Sequence, residues 1–450
     1  MLLRTLLVLA WPVILSRSTQ AVVGLSDALM SARLGDEALA AVTTGAIDWF
    51  AIAILPMGTA FIVQSFASQL QGRGDLVAAR RYGWYGLVLS AITSVLAVAA
   101  TPFLRSAVTH FGFAPGVTDG MSGYLEWRFW SIGAYVAVEA LGNWFGGLGD
   151  TRVHMRASVL TMVMNILLNW VLIYGHWGAP AMGVRGAALA SALATLCGLA
   201  WMLTAFLVRE REIAAGQPLG LRRREFVRML RFGIPNGLNW FMEIAAFTLF
   251  LNLVVGKLGT TVLAAMTAVL QLNSIAFMPA FGLGSAGAVL VGQAIGRGEP
   301  DEAPRILRLT AGIALGWQSL VGLVIFTIPG VLMGAFASGA ASAELVAVGS
   351  VMLRWSAAWQ AFDALGLTIG EALRAAGDTA WCMWVRLLSA WFLFLPLAWW
   401  WVTVRGGGPT AAIGAIVVYL ALLGLAFVWR FRSGAWRRIQ LVEHEPVLLD

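Results

Sequence analysis

Twelve apolar blocks divide the chain, at roughly 5–32, 38–66, 83–104, 122–147, 157–177, 185–208, 231–255, 262–291, 305–335, 345–373, 383–403 and 410–430, with short polar breaks between them. A helix needs about 20 apolar residues to cross the hydrocarbon core of a bilayer, so each block predicts one spanning helix. The first block follows Met1 and Arg4 as a signal peptide would. It runs too long for one, however, and shows no small-residue cleavage site before Asp27, so it is expected to remain a helix. In the seventh block Asn236, Asn239 and Glu243 are spaced by three and four residues, which on a helix makes one polar stripe in apolar surroundings. A carboxylate near the middle of such a segment costs roughly 2.5–3.5 kcal/mol even on a lenient insertion scale, so the stripe is expected to face water and to have a role.

The second half of the pattern repeats the first. Ala10-Trp11-Pro12 answers Gly233-Ile234-Pro235, Arg33-Leu34-Gly35 answers Lys257-Leu258-Gly259, and Gln69 through Asp75 answers Gln293 through Glu299. Pro56 answers Pro279, and Gly149-Asp150-Thr151 answers Gly377-Asp378-Thr379, always at an offset of 223 to 228 residues. Six spans per copy put both copies in one orientation, as parallel repeats. The expected fold is therefore an all-α polytopic membrane protein of two pseudo-symmetric six-helix bundles. Its expected divisions are an N-terminal lobe at 1–208, a polar linker at 209–228 broken by Gly216, Pro218 and Gly220, a C-terminal lobe at 229–430 and a tail at 431–450.

Composition agrees, with 59% hydrophobic and 12% charged residues and a mean hydropathy of +0.80. The net charge of +7 would suit a nucleic-acid binder if the basic residues formed a patch, but they do not. Arg33, Arg105, Arg185, Lys257 and Arg405 fall in one set of loops and Arg17, Arg128 and Arg354 inside spans, while the rest of the 30 gather at the opposite ends. That is the positive-inside bias, which predicts cytoplasmic N- and C-termini in a plasma or bacterial inner membrane, anionic lipid headgroups against the linker and tail, and no nucleic-acid partner. Cys197 and Cys382 have no metal-ligand neighbours, so neither a disulfide framework nor a zinc site is expected. The glycine-rich loops at Gln69 and Gln293 lack the Gly-Lys-Ser/Thr of a phosphate cradle, which disfavours an ATP-driven pump. The chain also lacks a paired Asp-rich motif, a metal-spaced His cluster and a nucleophile elbow, so an enzyme is not expected.

Where the halves differ, the acids appear: Asp27 lies opposite Leu251, Glu243 opposite Gln20, and Asp363 opposite Tyr135. Gln20 and Asp27 are seven residues apart and share a helix face, as do Asn165 and Asn169, four apart. Leu9 through Pro12, Asp27, Gly35 through Ala41, Gln69 through Asp75, Asn165-Ile166-Leu167-Leu168-Asn169, Gly233 through Glu243, Val291-Gly292-Gln293, and Asp363 ahead of Asp378 stand in an order and spacing that resembles the multidrug and toxic compound extrusion (MATE) family, its NorM-like branch more than its DinF-like branch. The resemblance implies a twelve-helix antiporter that expels organic cations against inward Na⁺ or H⁺. Position by position it implies an ion- or proton-coupling role for Asp27, Asn165, Asn169, Glu243 and Asp363, with Na⁺ at Asp27 or at Glu243 and Asp363, and the helix face shared with Asp27 adds Gln20 to that set.

One carboxylate with several amide oxygens can hold Na⁺ as a hard cation, or a proton, so the coupling ion stays open, as does the substrate. A substrate cavity is expected from Glu243, Asn239, Asp363, Tyr135, Trp240 and Phe247, with Phe241 and Trp359 nearby, since acids and aromatic faces together suit a lipophilic cation. No cofactor beyond the coupling ion is implied, and the partners are small cationic or lipophilic substrates and membrane lipids, acting on a monomer. Asp48, Glu139 and Glu371 receive no role, Glu371 being within reach of Arg374 and Arg17 free to pair or to snorkel. Arg128 and Arg354, at matching positions, read as a structural or gating pair. The alternative function is a flippase for a lipid-linked precursor, from the wider superfamily that shares this repeat.

Overall fold

The computed structural model describes residues 1–110, 112–214, 216–336 and 342–443; the last residues of the expected tail and Ala215 of the expected linker lie outside them. The described residues form helices and short connections, with no strand. The first copy of the repeat contains α1 (Leu2–Ala32), α2 (Asp36–Ala60), α3 (Ile62–Arg73), α4 (Leu76–Thr109), α5 (Pro115–Trp130), α6 (Ile132–Gly147), α7 (Thr151–Tyr174) and α8 (Gly183–Ala214). The second contains α9 (Arg223–Leu249), α10 (Thr260–Gly296), α11 (Ala303–Thr327), α12 (Pro329–Gly334), α13 (Ser342–Ser356), α14 (Gln360–Ala375), α15 (Thr379–Leu388), α16 (Leu395–Trp399) and α17 (Gly408–Arg432).

Among the described residues, ten helical stretches are long and apolar enough to cross a membrane. The fourth and tenth spans complete the twelve, each built from two shorter helices: α5 and α6 meet at Ser131, and α13 and α14 meet across a 3₁₀ turn at Ala357–Trp359. Both breaks carry the same hydrogen bond. Ser131 Oγ donates to the carbonyl of Arg128 at 2.8 Å, and its repeat counterpart Ser356 Oγ donates to the carbonyl of Leu353 at 2.7 Å. A serine hydroxyl that bonds a carbonyl one turn back competes with the helical ladder and bends it. The loop after α3 is likewise copied. Gly74 ends that helix in the left-handed region and Asp75 caps α4 through the amide of Ala78 at 2.9 Å, while Gly298 is left-handed after α10.

The chain divides into two compact units, and their borders fall inside helices rather than in the polar linker. The N unit is Leu15–Gly237; the C unit is Met1–Ile14 with the described residues from Leu238 on. Each border lies two residues beyond the kinking prolines Pro12 and Pro235. The first half of α9 thus packs in the N unit: a Cβ on Gly237 would meet the Leu55 carbonyl oxygen at 2.3 Å, so only glycine permits this approach. The opening of α1 packs in the C unit, where a Cβ on Gly282 would meet Ile14 Cγ1 at 2.4 Å.

The expected linker is likewise part of the N unit. Arg80 binds Glu210 and the carbonyls of Gln217 and Pro218, Arg81 binds Glu225 at 2.9 Å, and Tyr85 Oη donates to Glu225 at 2.8 Å. In the C unit, Arg430 grips Asp378 with two hydrogen bonds and Trp436 is buried, so the described part of the tail folds back onto its own helices. Of the linker and tail arginines expected at lipid headgroups, Arg209 pairs with Glu212 and Arg437 with Asp301. Large apolar side chains such as Val95, Leu96, Phe392 and Leu425 point outward, as helices facing acyl chains require.

Candidate functional site

In the N unit, Asp27 on α1 meets two asparagines of α7 and a serine of α8. Asn169 Nδ2 donates to Asp27 Oδ1 at 2.5 Å and to Asn165 Oδ1 at 3.2 Å; Ser191 Oγ donates to Asp27 Oδ2 at 3.3 Å and accepts from Asn165 Nδ2 at 2.9 Å. Asp27 is 8% exposed and Asn169 fully buried. No ion pair among the described residues reaches Asp27; Arg128 acts on it only through longer-range attraction, its guanidinium being stacked 3.8 Å over the Trp49 ring. Asn169 Oδ1 is buried without a hydrogen-bond partner. A cluster with one formal negative charge, neutral donors and a spare oxygen is incomplete as a structural network and suited to a small cation.

Gln20 does not belong to that cluster. Seven residues restore the same helix face but also move about 10 Å along the axis, so Gln20 meets a different neighbour. Its Nε2 donates to Glu139 on α6 at 3.3 Å. Glu139, 1% exposed, is held chiefly by Arg17, whose Nη1 and Nη2 reach its two oxygens at 3.2 and 3.0 Å. Arg17 pairs rather than snorkels. Tyr135, expected in a substrate cavity, packs edge-on to Trp49 at 5.1 Å in this same unit.

In the C unit, Glu243 is bound by Arg386 of α15 and accepts a hydrogen bond from Tyr419 Oη of α17 at 3.4 Å. The expectation that Asn236, Asn239 and Glu243 form one wet stripe is corrected here. Asn236 is buried in the N unit, its Nδ2 donating to the carbonyl of Gly58, and Glu243 is neutralised by arginine. Asn239 is half-buried, with Oδ1 unpartnered. Asp363 on α14 accepts from Gln318 Nε2 of α11 at 3.0 Å, and Glu243 and Arg386 act on it electrostatically. Beside this group stands an aromatic wall: Phe247 lies 5.3 Å from Phe394 and 6.3 Å from Tyr419. Trp240 packs edge-on to Phe281, and Trp359 is buried in packing rather than lining an open surface. Glu371 pairs with Arg374.

The family model MatE matches residues 12–171 and then residues 238–400, one match in each copy of the repeat. The chain belongs to the MatE family. Among its MatE relatives, the Probable multidrug resistance protein NorM of Rhizobium meliloti (strain 1021) is 32% identical over 445 residues, covering 95% of this chain and 92% of its own. The Multidrug resistance protein NorM of Burkholderia vietnamiensis is 26% identical over 429 residues, with 94% and 92% covered. Of solved MatE folds, an outward-facing multidrug resistance MATE family transporter of the MOP superfamily superposes with a TM-score of 0.89 at 20% identity, over 97% of this chain and 96% of that one. The MatE chain is a multi-pass membrane protein, and the relatives it matches are named as multidrug resistance proteins.

Four residues of these MatE sites escaped the sequence reading: Ser191, Gln318, Arg386 and Tyr419. A polar side chain inside an apolar block was the available signal for Gln318 and Arg386. Arg386 was pooled with the basic residues at the span ends although it falls inside the eleventh block. Ser191 sits in an alanine-rich helix where a serine carries no signal of its own.

Proposed function

We propose that this MatE chain is a secondary active antiporter that exports lipophilic organic cations in exchange for inward Na⁺ or H⁺ by alternating access, with both termini cytoplasmic. The observation that carries the reading is the Asp27 cluster: a buried carboxylate held by amides and a hydroxyl, with no bound cation of the protein's own and a spare amide oxygen on Asn169. A structural acid at such depth is normally tied to an arginine, as Glu139 is. An acid without one can exchange its counter-charge, and exchange is what coupling requires. Na⁺ would be bound by Asp27 with the amide oxygens of Asn165 and Asn169; a proton would sit on Asp27 itself.

In the C unit Arg386 neutralises Glu243, so Asp363 supplies the net negative charge for a cationic substrate, against the aromatic wall of Phe247, Phe394 and Tyr419. If ion and substrate each favour a different conformer, their fluxes are linked. The rival flippase needs free cations for a pyrophosphate, whereas Arg17 and Arg386 are both tied to glutamates. The test is efflux of a fluorescent organic cation from proteoliposomes under a Na⁺ gradient alone and then under a pH gradient alone. One of the two is expected to drive efflux and Asp27→Asn to abolish it; efflux under neither gradient overturns the antiporter.

A further inference from the structure

A groove of about 490 Å³ opens on the surface of the C unit, between the end of α9 and α16. Leu249, Leu253 and Val254 form one wall, and Pro396, Trp399 and Trp400 form the other. Both walls leave the α-helical register here: Phe250–Val254 and Trp400–Val404 are each a single π-helical turn, and Pro396 deprives its helix of one ladder hydrogen bond. Such turns break the ridge-and-groove match that would close two regular helices on each other. Leu253, Trp399 and Trp400 are exposed, so the groove is open to the surface.

Two positive charges stand against these walls. Lys257 Nζ lies 6.0 Å from the centre of the Trp399 ring and Arg405 Cζ 4.9 Å from the centre of the Trp400 ring, so each cation touches an indole that lines the groove. Both cations are exposed, and neither has an acidic partner among the described residues. The surrounding sequence offers none, because residues 244–298 and 379–442 contain no Asp or Glu. Glu344, which begins α13, is ion-paired with neither. An indole face holds a cation loosely and leaves its N–H donors free for an anion. From Lys257 down to Leu249 the chain descends about 12 Å, most of the roughly 15 Å depth of one leaflet of hydrocarbon. An apolar slot of that depth beneath two unpaired cations fits a phospholipid with an anionic headgroup, whereas a lipophilic cation would meet like charge at the rim.

We propose that this groove seats one acyl chain of an anionic phospholipid, with the phosphate bound by Lys257 and Arg405. The first copy of the repeat lacks the wider turn: Arg33, the counterpart of Lys257, follows a helix α1 that stays α-helical to Ala32. The seat therefore belongs to the C unit alone.

The test reconstitutes the full chain in vesicles containing a trace of photoactivatable phosphatidylglycerol or phosphatidylcholine, each with a diazirine on one acyl chain, and maps the labelled peptides by mass spectrometry. Phosphatidylglycerol is expected to label residues 249–254 and 395–400 about tenfold more than phosphatidylcholine, whose choline carries its own counter-charge. The double variant Lys257→Gln, Arg405→Gln is expected to lose that preference, and Leu253→Trp, which fills the slot, to lose labelling there by both lipids. Arg33→Gln is expected to change nothing. Equal labelling by the two lipids, or a preference that survives in the double variant, overturns the headgroup assignment; labelling retained in Leu253→Trp overturns the groove. Loss of phosphatidylglycerol labelling on adding ethidium would make the slot a substrate path and would also overturn the proposal. The double variant changes exposed side chains only, so it decides the question even where Leu253→Trp does not fold.

Discussion

In each unit a carboxylate held by amides can be set against one locked to an arginine, and between the units the two have changed places. In the N unit the acid on the first helix of the repeat, Asp27, is amide-held, and Glu139, on the second half of the broken span, is locked to Arg17. In the C unit the acid on the first helix, Glu243, is locked to Arg386, and Asp363, on the second half of the broken span, is held by the Gln318 amide. On the proposed function, the partner of each acid decides which of them can exchange its counter-charge.

The strongest way to break this comparison is to strip the partner from a locked pair. Glu243→Gln leaves the Arg386 guanidinium without its counter-charge, its side chain only 16% exposed. Removing one member of a buried pair typically costs about 3–5 kcal/mol, whereas replacing both members with apolar residues is often neutral. Thermal unfolding in detergent is expected to show a large loss for Glu243→Gln and substantial recovery in Glu243→Met with Arg386→Met. A Glu243→Gln protein as stable as the parent would mean that the pair is not buried in the protein's working states.

At the amide-held acid the expected pattern is reversed. Asp27→Asn keeps the shape of the side chain and removes a charge that no ion pair among the described residues ties down, so stability should change little. Coupling between ion and substrate, typically about 1–3 kcal/mol between two linked sites, should vanish, and gradient-driven efflux should vanish with it. Counterflow of substrate without a gradient should survive, and its loss would assign Asp27 to folding or substrate binding instead.

The twelve spans and their doubling were readable in the sequence because bilayer thickness and a constant repeat offset leave their mark on residue order alone. The helix ends reach several residues further than the apolar blocks; α4, for instance, begins at Leu76 where the block begins near 83, because Arg80, Arg81 and Tyr85 are satisfied by the linker. Partnerships across helices were not readable. Helical arithmetic put Gln20 on the face of Asp27 but could not show that the two turns between them carry Gln20 to Glu139. It likewise grouped Asn236 with Glu243, although the border between the units falls between them.

The borders themselves supply a sharper test of the repeat. Gly237 and Gly282 play mirrored parts, each letting a kinked helix approach its neighbour, but what a methyl group would strike differs. At Gly237 it meets the carbonyl oxygen of Leu55 at 2.3 Å, which cannot move without the helix; at Gly282 the nearest atom is Cγ1 of Ile14 at 2.4 Å, a stiff β-branched side chain, but the backbone there stays 3.1 Å away. Overpacking costs about 1–3 kcal/mol, and Gly237→Ala should fall at the upper end with Gly282→Ala below it. Equal unfolding midpoints for the two variants would show that the C unit is as rigid at this border as the N unit.

The smallest effect separates the two hydroxyls that touch the acids. Ser191 gives Asp27 a 3.3 Å hydrogen bond and also accepts the Asn165 amide at 2.9 Å, so Ser191→Ala leaves a buried donor unsatisfied at a cost of about 1–3 kcal/mol. Tyr419 donates to Glu243 across 3.4 Å, and Arg386 already compensates that carboxylate, so Tyr419→Phe removes a weak bond and strands no donor. Its expected cost is under about 1 kcal/mol, with the ring stack against Phe394 at 5.2 Å intact. Unfolding midpoints should place Ser191→Ala below Tyr419→Phe, because a hydroxyl matters more where amides hold a carboxylate than where an arginine does. The reverse order would mean that the Asp27 cluster re-forms around the lost serine, with the spare oxygen of Asn169 turning to take its place.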